Sequence, residues 1–217
     1  MRKGFYLRLA AQNLRKNARI YVPFLITGIL TVTMFYIICS LSGNQGLRQL
    51  QGGAAIQEVL KMGYRITSIF SCIFLFYTNS FLLKRRKKEF GLFNILGMEK
   101  RHIAKILFWE TCYSALITMG LGLLFGILLD KLMFLLVTRI ISETVVPMGF
   151  YISFAGLSKA LALFTGIYLV IFLNSLRQIT LSNPIALLRG GATGEKEPKA
   201  KWFLALLGLG ALGTGYG

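Results

Sequence analysis

The chain has 217 residues, 55% of them hydrophobic and only 15% charged, yet it carries a formal net charge of +17 from 25 Lys and Arg against 8 acids. A soluble domain has about 25% charged residues, and a soluble nucleic-acid binder spreads its bases over a wettable fold. Here the bases lie between long apolar runs, with a mean hydropathy of +0.62, which excludes a soluble nucleic-acid-binding domain and indicates an all-α, multi-pass integral membrane protein.

Residues 1–19 precede the first apolar run. Leu7, Ala11, Leu14 and Ala18 recur on one helical face, and Arg8, Gln12, Arg15 and Arg19 form a neighbouring basic stripe. This pattern predicts an amphipathic helix in the cytosolic interface, with Arg8, Arg15 and Arg19 among anionic lipid headgroups. Residues 20–41 carry no charge, and 22 residues make roughly 33 Å of helix against a hydrocarbon core of about 30 Å. That run exceeds the core of a cleavable signal, so an uncleaved anchor is the better reading despite the small residues of "SLSG" at 40–43.

An extracellular loop is expected over 42–61, a second span over 62–83, and a cytosolic loop over 84–105 that opens with Lys84, Arg85, Arg86, Lys87 and Lys88. The third span is predicted over 106–137 and the fourth over 150–176. A cytosolic linker follows over 177–201, and a fifth apolar run over 202–217 is still apolar at the last residue. The sequence is therefore expected to be the N-terminal part of a longer protein. Nineteen of the 25 bases fall before the first span, between the second and third, or after the fourth, which predicts a cytosolic N-terminus.

Few residues invite site chemistry. Cys39, Cys72 and Cys112 all lie in apolar runs and fit neither a disulfide framework nor a zinc site. His102 sits among bases with only Glu99 nearby, which reads as a solvated side chain rather than a metal ligand. No phosphate loop, HExxH pair or Gly-x-Ser-x-Gly elbow occurs, so neither an enzyme nor a bound cofactor is expected. Glu110 is the main intramembrane polar residue. It is expected to snorkel at the cytosolic boundary and to pair with Lys105 or another loop base. "GLLFG" at 122–126 permits close helix approach but arises easily by chance in a glycine-rich chain.

The loop of 84–105 is the most structured polar segment. Phe90, Phe93 and Leu96 can share a helical face, Gly97 can end that helix in the left-handed region, and Glu99 suits the first turn of the next. Such a helix fits a groove on a soluble partner.

"YTNSFLLKRRKKEFGLFNILGMEKRHIAKILFWE" at 77–110 resembles the segment after the second transmembrane helix of FtsX-like permeases of ABC transporters. "RLAAQNLRKNARIYVPFLIT" at 8–27 and "LSNPIALLRGG" at 181–191 extend the likeness over almost the whole chain. It is nearest to the branch of bacitracin-export and antimicrobial-peptide-detoxification permeases of Firmicutes. The resemblance implies a ten-helix protein with a large extracellular domain beyond the seventh helix, a separate ATP-binding subunit that holds the ATP, often a sensor histidine kinase, and a peptide substrate. It implies that Glu89, Phe90, Gly91, Leu92, Phe93, Leu96 and Gly97 lie where the coupling helix meets the ATPase. A lipoprotein-releasing or macrolide-efflux-type exporter is the alternative within the family. A cell-division scaffold is another, although its four spans fit poorly with a fifth apolar run.

Overall fold

The computed structural model describes residues 5–48, 52–95, 97–141 and 152–181. These residues form six helices and no strand: α1 (Phe5–Lys16), α2 (Ala18–Ser42), α3 (Gln45–Arg48), α4 (Gly53–Ile95), α5 (Lys100–Ile141) and α6 (Phe154–Leu181). Four of them, α2, α4, α5 and α6, are long and apolar enough to cross a membrane. Each overlaps one of the four expected spans, although α4 and α5 begin before the expected 62 and 106. The expected fifth run at 202–217 lies outside the described residues.

The polar connections are more helical than their composition suggests. The expected extracellular loop over 42–61 contains α3 and the start of α4. The basic segment from 84 is no loop either, because α4 runs through it without a break to Ile95. Lys, Arg, Glu and Leu are good helix formers, and Gly91 alone is too weak a breaker to stop a helix already nucleated. At 43 residues, α4 is about 65 Å long, far more than a bilayer core requires. The chain turns back near Gly97, whose φ of +83° lies in the left-handed region. The Glu99 carbonyl then accepts the first backbone bonds of α5, from His102 and Ile103.

Helix α2 is the centre of the bundle and packs against α4, α5 and α6. Tyr21, Phe24, Val32 and Phe35 of α2 meet Leu75 of α4 and Phe164, Ile167 and Ile171 of α6 in the main core. The opposite faces stay apolar: Leu30, Met34, Phe70, Phe74, Leu116, Leu124, Leu128 and Leu136 are all exposed. Patches of that extent are unfavourable in water; lipid is the solvent they fit.

The α2–α5 seam shows why the helices settle where they do. Tyr21 bonds Glu110, Thr33 bonds the Gly122 carbonyl at 2.9 Å, and Ser40 bonds Asp130 at 2.9 Å, all at an offset of 89 or 90 residues. A constant offset means that the two helices run parallel and in step. Glycine makes the approach possible, because a Cβ on Gly122 would stand 2.6 Å from Val32 and one on Gly126 2.9 Å from Tyr36. The "GLLFG" spacing, read from sequence as weak evidence, is thus the groove that receives α2.

Candidate functional site

The five consecutive bases do not share one environment. Lys84 and Arg85 are exposed, and the Arg85 guanidinium lies 4.7 Å from the Phe81 ring centroid; the side chains of Lys87 and Lys88 lie outside the described residues. Arg86 is completely buried, at 0% exposure, and does not belong to the lipid-facing set expected for it. Helical geometry is the reason. Leu83, Arg86, Glu89 and Phe90 follow one another at i, i+3, i+6 and i+7, the face that α4 turns toward α5 and the N-terminal helices.

Burying a guanidinium requires partners for its donors, and α2, α4 and α5 supply them. Arg86 Nη1 donates to both Tyr21 and Glu110, Nη2 donates to Glu110 Oε1 at 3.0 Å, and Nε donates to Glu89 at 3.1 Å. The two-pronged contact with Glu110 is the fork geometry in which arginine is strongest. The ring of Phe90 lies under the guanidinium, 4.8 Å from its centroid. Glu110, 2% exposed, accepts further bonds from Tyr21 at 3.1 Å and from Asn13 of α1 at 3.0 Å. Asn17, between α1 and α2, donates to both Glu89 oxygens, at 3.0 and 3.2 Å.

Two expectations are corrected here. Glu110 does not snorkel toward a boundary but is enclosed; of the loop bases expected to pair with it, the partner is Arg86, as the alternative to Lys105 allowed. Lys105 instead lies over the Tyr6 ring at 5.6 Å, and Tyr6 stacks on His102 at 6.0 Å, so His102 is packed rather than simply solvated. Helix α1 packs on α5. Ala10 is fully buried and Leu14 packs on the main core, whereas Ala11 is exposed. The docked face is therefore rotated from the Leu7–Ala11–Leu14–Ala18 stripe toward Tyr6, Ala10, Asn13 and Asn17. Arg8, Arg15 and Arg19 are exposed, on the side away from these contacts.

The coupling residues also separate. Phe90, 3% exposed, packs with Leu83, Ile103, Leu107 and Ile179, so it holds the hairpin to the bundle and offers no surface to a partner. Gly91 is likewise buried and Glu89 is taken up by Asn17 and Arg86. Leu92 points outward at 53% exposure, and Gly97 is exposed at the turn. The side chain of Phe93 and the whole of Leu96 lie outside the described residues. Sequence reading missed Asn13, Asn17 and Tyr21, although their spacing of four along an otherwise apolar face was a visible signal. Among the described residues, no group of three or more His, Cys, Asp or Glu is placed to hold a metal.

Four membrane-length helices around an enclosed ion pair, with one helix continuing past the others into a basic hairpin, define a multi-pass membrane protein. Residues 64–184, more than half of the chain, match the family described as FtsX-like permease C-terminal. The chain belongs to the FtsX-like permease family.

Its curated relatives include the uncharacterized ABC transporter permease YvcS of Bacillus subtilis (strain 168), 28% identical over 96% of this chain and 32% of the relative. The bacitracin export permease protein BceB of the same organism is 26% identical over 96% of this chain and 33% of its own length. BceB of Halalkalibacterium halodurans is 23% identical over 94% of this chain and 31% of that protein. The chain thus spans about a third of the length of the relatives it matches.

Proposed function

We propose that this chain is part of the membrane-spanning permease subunit of an ABC transporter, which couples ATP hydrolysis on a separate nucleotide-binding subunit to the transport or target release of bacitracin-like antimicrobial peptides. The observation that carries the reading is the α4–α5 hairpin. A transmembrane helix that continues unbroken to Ile95 and turns at Gly97 can pass a push at its tip to the spans as a rigid rod, with Leu92 available for contact. The cluster around Arg86 fastens the base of that rod to α1, α2 and α5. Relatives named as bacitracin export permeases support the substrate class.

In this reading the basic end faces the cytosol, and the exposed Arg8, Arg15, Arg19, Lys84 and Arg85 rest among anionic headgroups. The ATP is held by the partner, this subunit carries no catalytic residue, and a sensor histidine kinase is a further partner. Leu92, Gly97, Phe93 and Leu96 form the ATPase-facing surface.

The test is co-purification of the full-length permease with its ATP-binding subunit after Leu92→Asp, and separately after Phe93→Asp with Leu96→Asp. Complex formation should be lost while membrane insertion is retained; undiminished binding by both variants overturns the assignment. Deletion of the full-length gene should raise susceptibility to bacitracin, and unchanged susceptibility refutes the substrate class.

A further inference from the structure

Next to Glu110 lies a small cavity, with about 20 Å³ of room for the centre of a water-sized sphere, whose polar lining comes from Tyr21, Asn79, Glu110, Thr111, Ser114 and Tyr168. These residues come from all four membrane-length helices. Two of them have unused hydrogen-bonding capacity facing this space. The Ser114 hydroxyl makes no hydrogen bond to any described residue although Ser114 is only 3% exposed. Asn79 gives its amide N–H to Ser175 at 3.1 Å, which leaves its carbonyl oxygen without a described donor.

We propose that this cavity is a binding site for one water molecule, which joins Ser114 and Glu110 of α5 to Asn79 of α4. Size and chemistry select the occupant. One water needs about 10–15 Å³ by this measure, together with two to four polar partners, and the cavity meets both conditions. A metal cation is disfavoured because Glu110 is already neutralised by Arg86, whose like charge repels it. An apolar occupant would leave Ser114 and Asn79 unsatisfied in a membrane interior, where no bulk water compensates them.

The water accepts from Ser114 Oγ–H and donates to the Asn79 oxygen and to the Glu110 carboxylate. It thereby connects the Arg86–Glu110 cluster to the Asn79–Ser175 pair and lies beside the Thr118–Tyr168 pair, whose oxygens are 2.6 Å apart. A polar chain then crosses from α1 to α6 through a bundle otherwise held by apolar contact. A bridging water is nearly as good a bond as a direct one and can exchange, so α4 and α5 are tied here without being locked.

The measurement is water-edited solid-state NMR on the isotopically labelled 217-residue protein in lipid nanodiscs. Magnetisation from water should reach Ser114 and the Asn79 side chain but not Phe164 or Leu75, which are 0% exposed in the dry core. Ser114→Val fills the space and removes the donor, and should abolish transfer to Asn79 while leaving the Phe164 signal in place. Ser114→Thr fills the same space and serves where the valine variant fails to insert. No transfer to Ser114 and Asn79 in the unsubstituted protein, or undiminished transfer to Asn79 in the filled variant, overturns the proposal. Neither readout depends on an ATPase partner or on transport.

Discussion

Replacing Arg86 with Met removes the only cationic partner that Glu110 has among the described residues, at a site where the two side chains are 0% and 2% exposed. The carboxylate would keep the Tyr21 and Asn13 donors, which offset only part of its desolvation. Breaking a buried pair from one side costs about 3–5 kcal/mol, whereas removing a single hydrogen bond to a charged group costs about 1.5–3 kcal/mol. Arg86→Met should therefore destabilise the protein more than Asn13→Ala, which removes one bond to Glu110 and leaves the pair intact. The combination Arg86→Met with Glu110→Gln leaves no buried charge at this pair, and the glutamine can accept from Asn13 through its amide oxygen while its NH2 donates to the Tyr21 hydroxyl. It should recover at least about 1.5 kcal/mol relative to the sum of the single losses, a coupling expected of residues in direct contact. Equilibrium unfolding by SDS titration in mixed micelles gives all four values. A loss below about 1 kcal/mol for Arg86→Met, or strict additivity of the two substitutions, refutes an enclosed Arg86–Glu110 pair.

The seam between α2 and α5 makes a second set of expectations. Gly122→Val places side-chain atoms against Val32 and the Ile29 carbonyl and should cost about 1–3 kcal/mol by overpacking; Gly120→Ala, with nothing within 4 Å of the new Cβ, should be neutral or stabilising in the same titration. At the other end of the seam, Asp130 is buried with Oδ1 unpaired among the described residues while Oδ2 accepts from Ser40. Asp130→Asn removes a poorly compensated buried acid, so its unfolding midpoint should equal or exceed that of the unsubstituted protein; a fall would show that the charge is needed. Phe90→Ala should lower stability by about 3–5 kcal/mol as a core truncation, whereas Leu92→Ala, on an exposed position, should stay within about 0.5 kcal/mol, and equal losses would contradict the opposite orientations of the two side chains.

Hydropathy and charge determine the coarse architecture because they act locally and add along the chain. Twenty uncharged residues favour a membrane helix whatever lies elsewhere, so the existence and order of the four described spans were legible, although α4 extends well beyond the expected 62–83 at both ends. The turn at Gly97 was legible for a similarly local reason, since a left-handed φ is cheap only without a Cβ. Composition misled over 84–95: a run of bases looks like a loop, but each residue in it is compatible with the helix that α4 continues.

Contacts between distant residues are another matter. Which of five adjacent bases turns inward follows from the rotation of α4 against its neighbours, and Arg86 meets Tyr21, 65 residues away, and Glu110, 24 away, only once that rotation is set. Asn13 joins Glu110 across 97 residues. The glycines at 122 and 126 were visible as a possible groove, yet only the parallel alignment of α2 with α5 identifies Val32 and Tyr36 as what fills it. The sequence by itself determined a basic, multi-pass helical membrane protein with a structured hairpin, because transfer into lipid is decided segment by segment. The tertiary structure alone decided that one arginine of that hairpin leaves the surface to close an ion pair among four helices, because a buried charge is tolerable only where several separate segments bring their hydrogen-bonding groups to it.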